Sequence, residues 1–191
     1  MQLIETIAII DGKIQNVAAH QQRFEQGKAF LQQHLPVPMP VAQLQQIIQI
    51  PVAYQQGLVR CRVSYDAVQQ QVEFFPYQAK SIQSFQLVQD DDIDYRYKYA
   101  NRERLNQLFA QRGTCDEIIV VKQGLITDCS IGNLLFLQQG QWFTPHQPLL
   151  QGTQRATLLA QQRIVERQIT VQDVVNYEQV MMINALNGFD E

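Results

Sequence analysis

A chain of 191 residues, 46% of them hydrophobic, is long enough to bury one good core or two small ones. Its net charge of −3 gives no electrostatic footprint for nucleic acid, and no apolar run approaches the length of a membrane-spanning helix. Three cysteines, Cys61, Cys115 and Cys129, have no paired spacing, which predicts reduced thiols and a cytoplasmic home.

The start, "MQLIETIAII", has no basic region or small-residue cleavage site and reads as a strand rather than a signal peptide. With "DG" at 11–12 and "KIQNV" it predicts a β-hairpin. "AAHQQRFEQGKAFLQQHL" then carries Phe24, Ala29, Phe30 and Leu31 at near-helical spacing, and the prolines of "PVPMP" stop it. "VAQLQQIIQI" predicts a second amphipathic helix through Val41, Leu44, Ile47 and Ile48. "GLVRCRVSYD" and "QVEFFPYQ" predict two strands joined by a polar turn. Residues 1–89 therefore read as a small α+β lobe. The many glutamines are interspersed with periodic apolar residues, so they read as surface habit, not low complexity.

At "QDDDIDY" the character changes, and a second lobe is expected over 90–191, with Asp90, Asp91 and Asp92 as a solvated linker. A helix follows from about Asn101 to Arg112, with Asn101 as N-cap, Glu103 at the positive end and Gly113 at the exit. "EIIVV", "GLIT", "NLLFLQ" and "QWFTP" predict an antiparallel meander with Gly-containing turns. "GTQRATLLAQQR" predicts a helix, and "YEQVMMINAL" a buried strand entering a turn. No repeat is visible.

Several residues could carry chemistry. As a strand, Tyr95-Arg96-Tyr97-Lys98-Tyr99 would put three aromatics on one face and two cations on the other. Lys98 is then either a solvated cation or, with its basicity lowered by the aromatics and Arg96, a nucleophilic amine. Arg23 in "HQQRF" could bind phosphate. So could the helix start Gly152-Thr153-Gln154-Arg155, whose backbone N–H groups and dipole would face an anion, although Gly-Thr also serves for capping alone. Two anion-binding elements and a candidate Schiff-base lysine suggest a phosphorylated aldehyde, pyridoxal 5′-phosphate (PLP). That cofactor needs an acid against its ring nitrogen. Asp128 in "LITDCSIGN" lies between apolar strands, where a carboxylate needs a partner; otherwise it is a turn residue. Cys129 reads as a small buried hydrophobe, since no His stands at a suggestive spacing. His20, His34 and His146 have no metal-ligand spacing, and His20 is expected to orient the helix carrying Arg23.

"IIDGKIQNVAAHQQRF", "YKYANRERLNQLFAQRGTCDEIIVVKQGLITDCSIGNLLF", "LLQGTQRATLLA" and "VMMINAL" run in the order used by class IV aminotransferase-fold PLP enzymes. Those are the branched-chain and D-amino-acid transaminases and aminodeoxychorismate lyase. The chain resembles this family over nearly its whole length, and most of all the lyase branch, through the "DGK" turn, "AHxxR", "KxxNR" and "NAL". The resemblance implies an α/β (α+β) class, two-lobe D-amino-acid aminotransferase-like fold, with a larger PLP-binding C-terminal lobe. It implies that Lys98 holds the cofactor's aldehyde carbon, that Arg23, Gly152, Thr153 and Gln154 bind its phosphate, and that Asp128 faces the ring nitrogen. Arg60 falls where a basic residue meets the substrate carboxylate, and Arg62 on the same strand face would assist. The last phosphate-facing turn, Ile183-Asn184-Ala185, has no Thr, so contact there would come from backbone N–H or Asn184. A homodimer acting on a small-molecule substrate is implied. The reaction expected is pyruvate elimination from aminodeoxychorismate to give 4-aminobenzoate. The alternatives are transamination of branched-chain or D-amino acids, or a non-catalytic relative that retains the fold. Two further departures are an Asp at 128 where the family normally has Glu, and a start at the "ET" strand without the relatives' preceding hairpin.

Overall fold

Alternation in the opening residues builds the first sheet. In this computed structural model, which describes residues 1–33, 35 and 40–189, β1 spans Leu3–Ile10 and β2 spans Lys13–Ile14. Asp11 and Gly12 between them have φ 46° and 73°, the left-handed pair that a two-residue hairpin turn requires. β1 pairs antiparallel with β3 (Leu58–Tyr65), and β3 with β4 (Gln70–Pro76), giving the order β2-β1-β3-β4. One face carries Leu3, Ile7, Ile9, Val59, Cys61, Val63 and Tyr65, which bury against Phe24 of α1 (Val17–Gln32). Gly27 lets that helix approach, because a Cβ there would collide with the Tyr65 hydroxyl. The opposite face carries Thr6, Ala8, Arg60, Arg62 and Ser64.

The helix expected over 41–50 is one turn only, α2 (Leu44–Ile47). Ile48 turns extended (φ −86°, ψ 91°) and buries its side chain, and Pro51 holds the residues before it away from helix. "PVPMP" lies outside the described residues except for Pro40, as does His34.

In the rest of the chain, helices inserted between strands create parallel pairs, which a meander cannot contain. β5 (Phe85–Gln89) runs parallel to β6 (Glu117–Lys122), with α3 (Glu103–Phe109) between them in sequence; β7 (Leu125–Ile126) returns antiparallel. Four further strands form a second sheet. Here β8 (Asn133–Gln138) and β9 (Gln141–Pro145) form a hairpin, and α4 (Thr153–Ala160) carries the chain to β10 (Val165–Arg167), parallel to β9. β11 (Gln179–Ile183) pairs antiparallel with β8. The four strands of the expected meander are therefore two antiparallel pairs, β6-β7 and β8-β9, in separate sheets, each extended by a parallel strand, β5 or β10. Both faces of β8 are covered: Leu134 and Phe136 join Ile119, Ile126 and Met182, while Leu135 joins Leu158 and Ile183. That explains the unbroken apolar run "NLLFL".

The chain divides into two units, Met1–Ala79 with Tyr97–Asn101, and Lys80–Arg96 with Arg102–Glu191. This differs from one boundary near residue 90, because β5 is bonded to β6 while residues 97–101 return to β1. There Ile4 N donates to Lys98 O (2.8 Å), Ala100 N to Gln2 O (2.9 Å), and Tyr99 bridges Leu3. Residues 95–99 are accordingly not a regular strand. The aspartate run is no solvated linker either. Asp90 is buried and accepts two bonds from Arg104 (2.6 and 2.8 Å), and Asp91 accepts from Gln123 N (2.7 Å). α3 starts at Glu103 with Arg102, not Asn101, in the capping position. Among the described residues no helix is long and apolar enough to cross a membrane.

Candidate functional site

Within the first unit, a carboxylate on the apolar face of β1 organises two of the basic residues. Glu5 has no exposure at all. Its carboxylate accepts from Arg23 through Nε (2.8 Å) and Nη2 (2.6 Å), and from His20 Nδ1 (2.7 Å). Burial alone would raise this carboxyl; the Arg23 charge and the bonds from Arg23 and His20 outweigh it and lower it to about 2. Burial holds His20 below its ordinary value against the Glu5 bond, with the charges of Arg23 and Lys98 pressing the same way. The neutral ring therefore donates its Nδ1 proton to Glu5. His20 and Arg23 share the Glu5 carboxylate, and the Lys98 charge acts on His20.

The residues flanking Lys98 have partners of their own. Arg96 is exposed and forms a fork with Asp94 (3.1 and 2.8 Å). Tyr97 stacks on Phe30 of α1 (3.9 Å between centroids), and Tyr99 joins the same core. Arg23 and Lys98 are the two cations whose charges act on His20.

Arg60 and Arg62 lie together on the opposite sheet face. The Arg60 guanidinium packs over Phe75 (4.6 Å), and its Nε is a buried donor with no hydrogen-bond partner among the described residues. An orphaned guanidinium donor is the feature a carboxylate-binding arginine should show. Arg62 Nε reaches Ser64 Oγ (3.2 Å).

In the second unit Asp128 is buried beside the turn that enters α4. Its Oδ1 accepts from Asn133 Nδ2 (2.8 Å) and its Oδ2 from Leu150 N (2.9 Å). Burial raises the carboxyl to about 6, against the lowering by these two bonds and the more distant Arg155 charge. It forms no ion pair with a described residue. A cation placed against it would return it to the charged form. The loop after it is clamped from two sides: Glu117 accepts from Ser130 Oγ (2.9 Å), and Arg102 Nη2 donates to Ser130 O (2.6 Å). Cys129 is buried, and burial pushes its thiol up, so it packs as a hydrophobe.

Gly152 is the extended residue before α4, whose first residues are Thr153 (buried) and Gln154 (half-buried). Arg155 spends its donors on protein groups. It is fully buried, donating to Thr144, Gln151, Pro145 O and Glu166. The Asn184 side chain is committed to its own turn, with Oδ1 accepting from Leu186 N and Asn187 N (2.9 Å each) and Nδ2 donating to Ile131 O (3.1 Å). This brings the 184–187 turn to the Asp128 loop, and leaves contact at Asn184 and half-buried Ala185 to the main chain.

Two residues escaped the sequence reading of the site. Glu5 could have been found as the one carboxylate on the face shared by Leu3, Ile7 and Ile9; Asn133 as the polar residue opening an apolar strand. Among the described residues no group of His, Cys, Asp and Glu is arranged to hold a metal.

A Glu5→Gln variant is expected to expose the strength of the buried cluster. Because the folded value is depressed, the stabilisation is present above the unfolded value near 4.5 and fades as pH falls toward 2. Its size is about 3 kcal/mol. Denaturant titration should give a large wild-type advantage at pH 7 that shrinks below pH 4. A difference independent of pH would contradict the assignment.

The first unit thus holds a buried Glu5–His20–Arg23 cluster on which the Lys98 charge acts, and the second a buried carboxyl, Asp128, beside a helix start. The family model for amino-transferase class IV matches residues 2–189, and the chain belongs to that family of PLP-dependent enzymes. It is 46% identical over 186 residues to an uncharacterized protein of Haemophilus influenzae, covering 97% of this chain and 98% of that one. A crystal structure from Haemophilus somnus, described as a candidate 4-amino-4-deoxychorismate lyase, superposes with a TM-score of 0.91 at 43% identity, over 98% of this chain and 97% of that one. The branched-chain amino acid aminotransferase of Escherichia coli shares the fold at 17% identity (TM-score 0.71; 97% and 73% covered).

Proposed function

We propose that this chain is a PLP-dependent lyase that eliminates pyruvate from 4-amino-4-deoxychorismate to give 4-aminobenzoate. The observation that carries the PLP reading is Asp128: a fully enclosed carboxyl, not ion-paired to a described residue, in a chain of class IV. The 43% identity to the Haemophilus somnus protein favours the lyase over a transaminase. Bound PLP supplies the sink for the electrons left when the substrate's α-proton departs.

The residues present fit that group. Arg23, aimed by Glu5 and His20, and the backbone N–H groups of Gly152, Thr153 and Gln154 bind the phosphate, with Asn184 and Ala185 adding main-chain contact. Asp128 holds a proton at the ring nitrogen. Lys98 would hold the cofactor at its aldehyde carbon and, with its amine free, would take the substrate's α-proton as general base. Arg60, assisted by Arg62, binds a substrate carboxylate. A homodimer in the cytoplasm is the setting proposed.

The test is to add PLP to the purified protein, record the visible band, reduce with borohydride and map the labelled lysine by mass. Label on Lys98 is expected; label on Lys13 or Lys122 overturns the assignment. Pyruvate and 4-aminobenzoate formed from 4-amino-4-deoxychorismate support the lyase. Keto acid from branched-chain or D-amino donors points to a transaminase, and a stable band with neither product to a non-catalytic relative.

Arg23→Ala should weaken PLP binding about ten- to a hundredfold, the loss of a charge-assisted contact of about 1.5–3 kcal/mol. Arg163→Ala, whose guanidinium packs on Phe189 (4.7 Å), should leave affinity unchanged. Equal effects, measured by titrating the visible band, would make Arg23 a residue of the Glu5 cluster alone.

A further inference from the structure

Asn133 is a buried side chain of the second unit to which the mechanism gives no role. Asn133, the first residue of β8, is buried, and its Nδ2 donates both to Asp128 Oδ1 (2.8 Å) and to Leu150 O (2.9 Å). Leu150 N in turn donates to Asp128 Oδ2 (2.9 Å). The three bonds close a ring: acid, amide and the peptide of Leu150. Both Nδ2 hydrogens are used on acceptors, so the reversed amide would set its oxygen against a carboxylate and a carbonyl. The orientation is therefore fixed, and it directs Oδ1 onto Gly152. There is room only because residue 152 lacks a side chain: a Cβ would collide with Asn133 Oδ1. Gly152 is thus required by the amide, independently of any anion at the helix start.

We propose that Asn133 is a positioning residue which ties the carboxylate of Asp128 to the turn entering α4, so that the ring-nitrogen acid and the phosphate-binding helix start form one rigid piece. This rests on the reading of Asp128 and of residues 152–154 given above. The cofactor's ring nitrogen and phosphate stand at a fixed separation, so a protein that holds both must hold the two contacts at a fixed separation as well. Asn133 does so with side-chain and main-chain bonds that are shielded from water. The same bond favours the ionised form of Asp128 against burial. The other charged or titratable groups acting on Asp128 and its neighbour Cys129 are Arg155, which lowers Asp128, and Glu117, which raises Cys129.

The experiment uses the full chain free of cofactor, with aspartate carboxyls labelled with carbon-13, and follows the Asp128 carboxyl by NMR as a function of pH. Asn133→Ala should raise its midpoint by about one to two pH units. Gly152→Ala, which keeps the amide but drives a methyl into it, should raise it in the same direction and serves if Asn133→Ala does not fold. Both should also weaken PLP binding about tenfold, through misplacement of the two contacts. An unchanged midpoint in either folded variant overturns the proposal and leaves Asn133 a packing residue. The PLP reading fails separately, if Asp128→Asn turns over like wild type; the midpoint in the cofactor-free variants still reports the Asn133 link.

Discussion

Asp128→Asn is expected to lower turnover about a thousandfold or more while PLP is still bound, a loss of about 4 kcal/mol or more of transition-state stabilisation. The substitution changes the charge and almost nothing in volume. In the protein the carboxylate accepts from Asn133 on one oxygen and from Leu150 N on the other. An asparagine has one acceptor oxygen, so one of these donors must face an NH2 group, which destabilises by about 1–3 kcal/mol. The fold therefore weakens modestly, and the activity must be compared at a temperature where both proteins are folded. A neutral side chain would not favour a proton on the ring nitrogen, and the electron sink that bound PLP would supply would be lost. Asp128→Glu is expected to keep substantial activity, because it keeps the carboxyl. Its extra methylene enters a site with no exposure to spare, for an overpacking penalty of about 1–3 kcal/mol in stability. Steady-state kinetics on the PLP-loaded variants checks both. Wild-type turnover in the Asn variant would make Asp128 a turn residue and sink the mechanism. A non-catalytic relative would have no turnover to lose and would show the change in cofactor affinity or spectrum alone.

Local signals carried far in this chain, and non-local ones did not. The first hairpin was legible because Asp11-Gly12 is a turn whose backbone both residues favour, flanked by apolar alternation. α1 and α4 were legible from their apolar spacing and, for α4, from Gly152 ahead of it. The helix expected over 41–50 had the right spacing but lies before Pro51, and burying Ile48 in extended backbone outweighed propensity. β5 was missed because "FQLVQ" is short and leaves Leu87 partly exposed; its strand identity comes from parallel pairing with residues about thirty positions on. Lys98, Arg23 and Asp128 were singled out by the joint order of motifs. Their partners were not, since Glu5 is 18 residues from Arg23 and Leu150 is 22 from Asp128. The same holds for Asp90, which looked like part of a wet charge run until Arg104, 14 residues on, neutralised it.

Lys98→Ala is expected to abolish covalent capture of the cofactor and to reduce turnover by about 10⁴ or more, because the same amine serves as attachment point and general base. The structure makes this a clean substitution. Residue 98 is held by its main chain: its carbonyl accepts from Ile4 N (2.8 Å), and its neighbours are fixed by the Tyr99–Leu3 bridge and the bond from Ala100 N to Gln2 O (2.9 Å). The side chain is only half-buried, so its removal opens no sealed cavity and should leave the melting temperature nearly unchanged. The phosphate contacts do not involve Lys98, so PLP should still bind, but reversibly, and borohydride should leave no label on the protein. Lys98→Arg should be as inactive as Lys98→Ala, since a guanidinium stays protonated near neutral pH and can neither attack an aldehyde nor accept the α-proton. A small primary amine added to Lys98→Ala should restore part of the proton transfer without restoring the label, which separates the two duties of this one nitrogen. If the Ala variant keeps near-wild-type turnover, or keeps its borohydride label, the reactive amine is another one, and the Glu5–His20–Arg23 cluster serves the fold and not the chemistry.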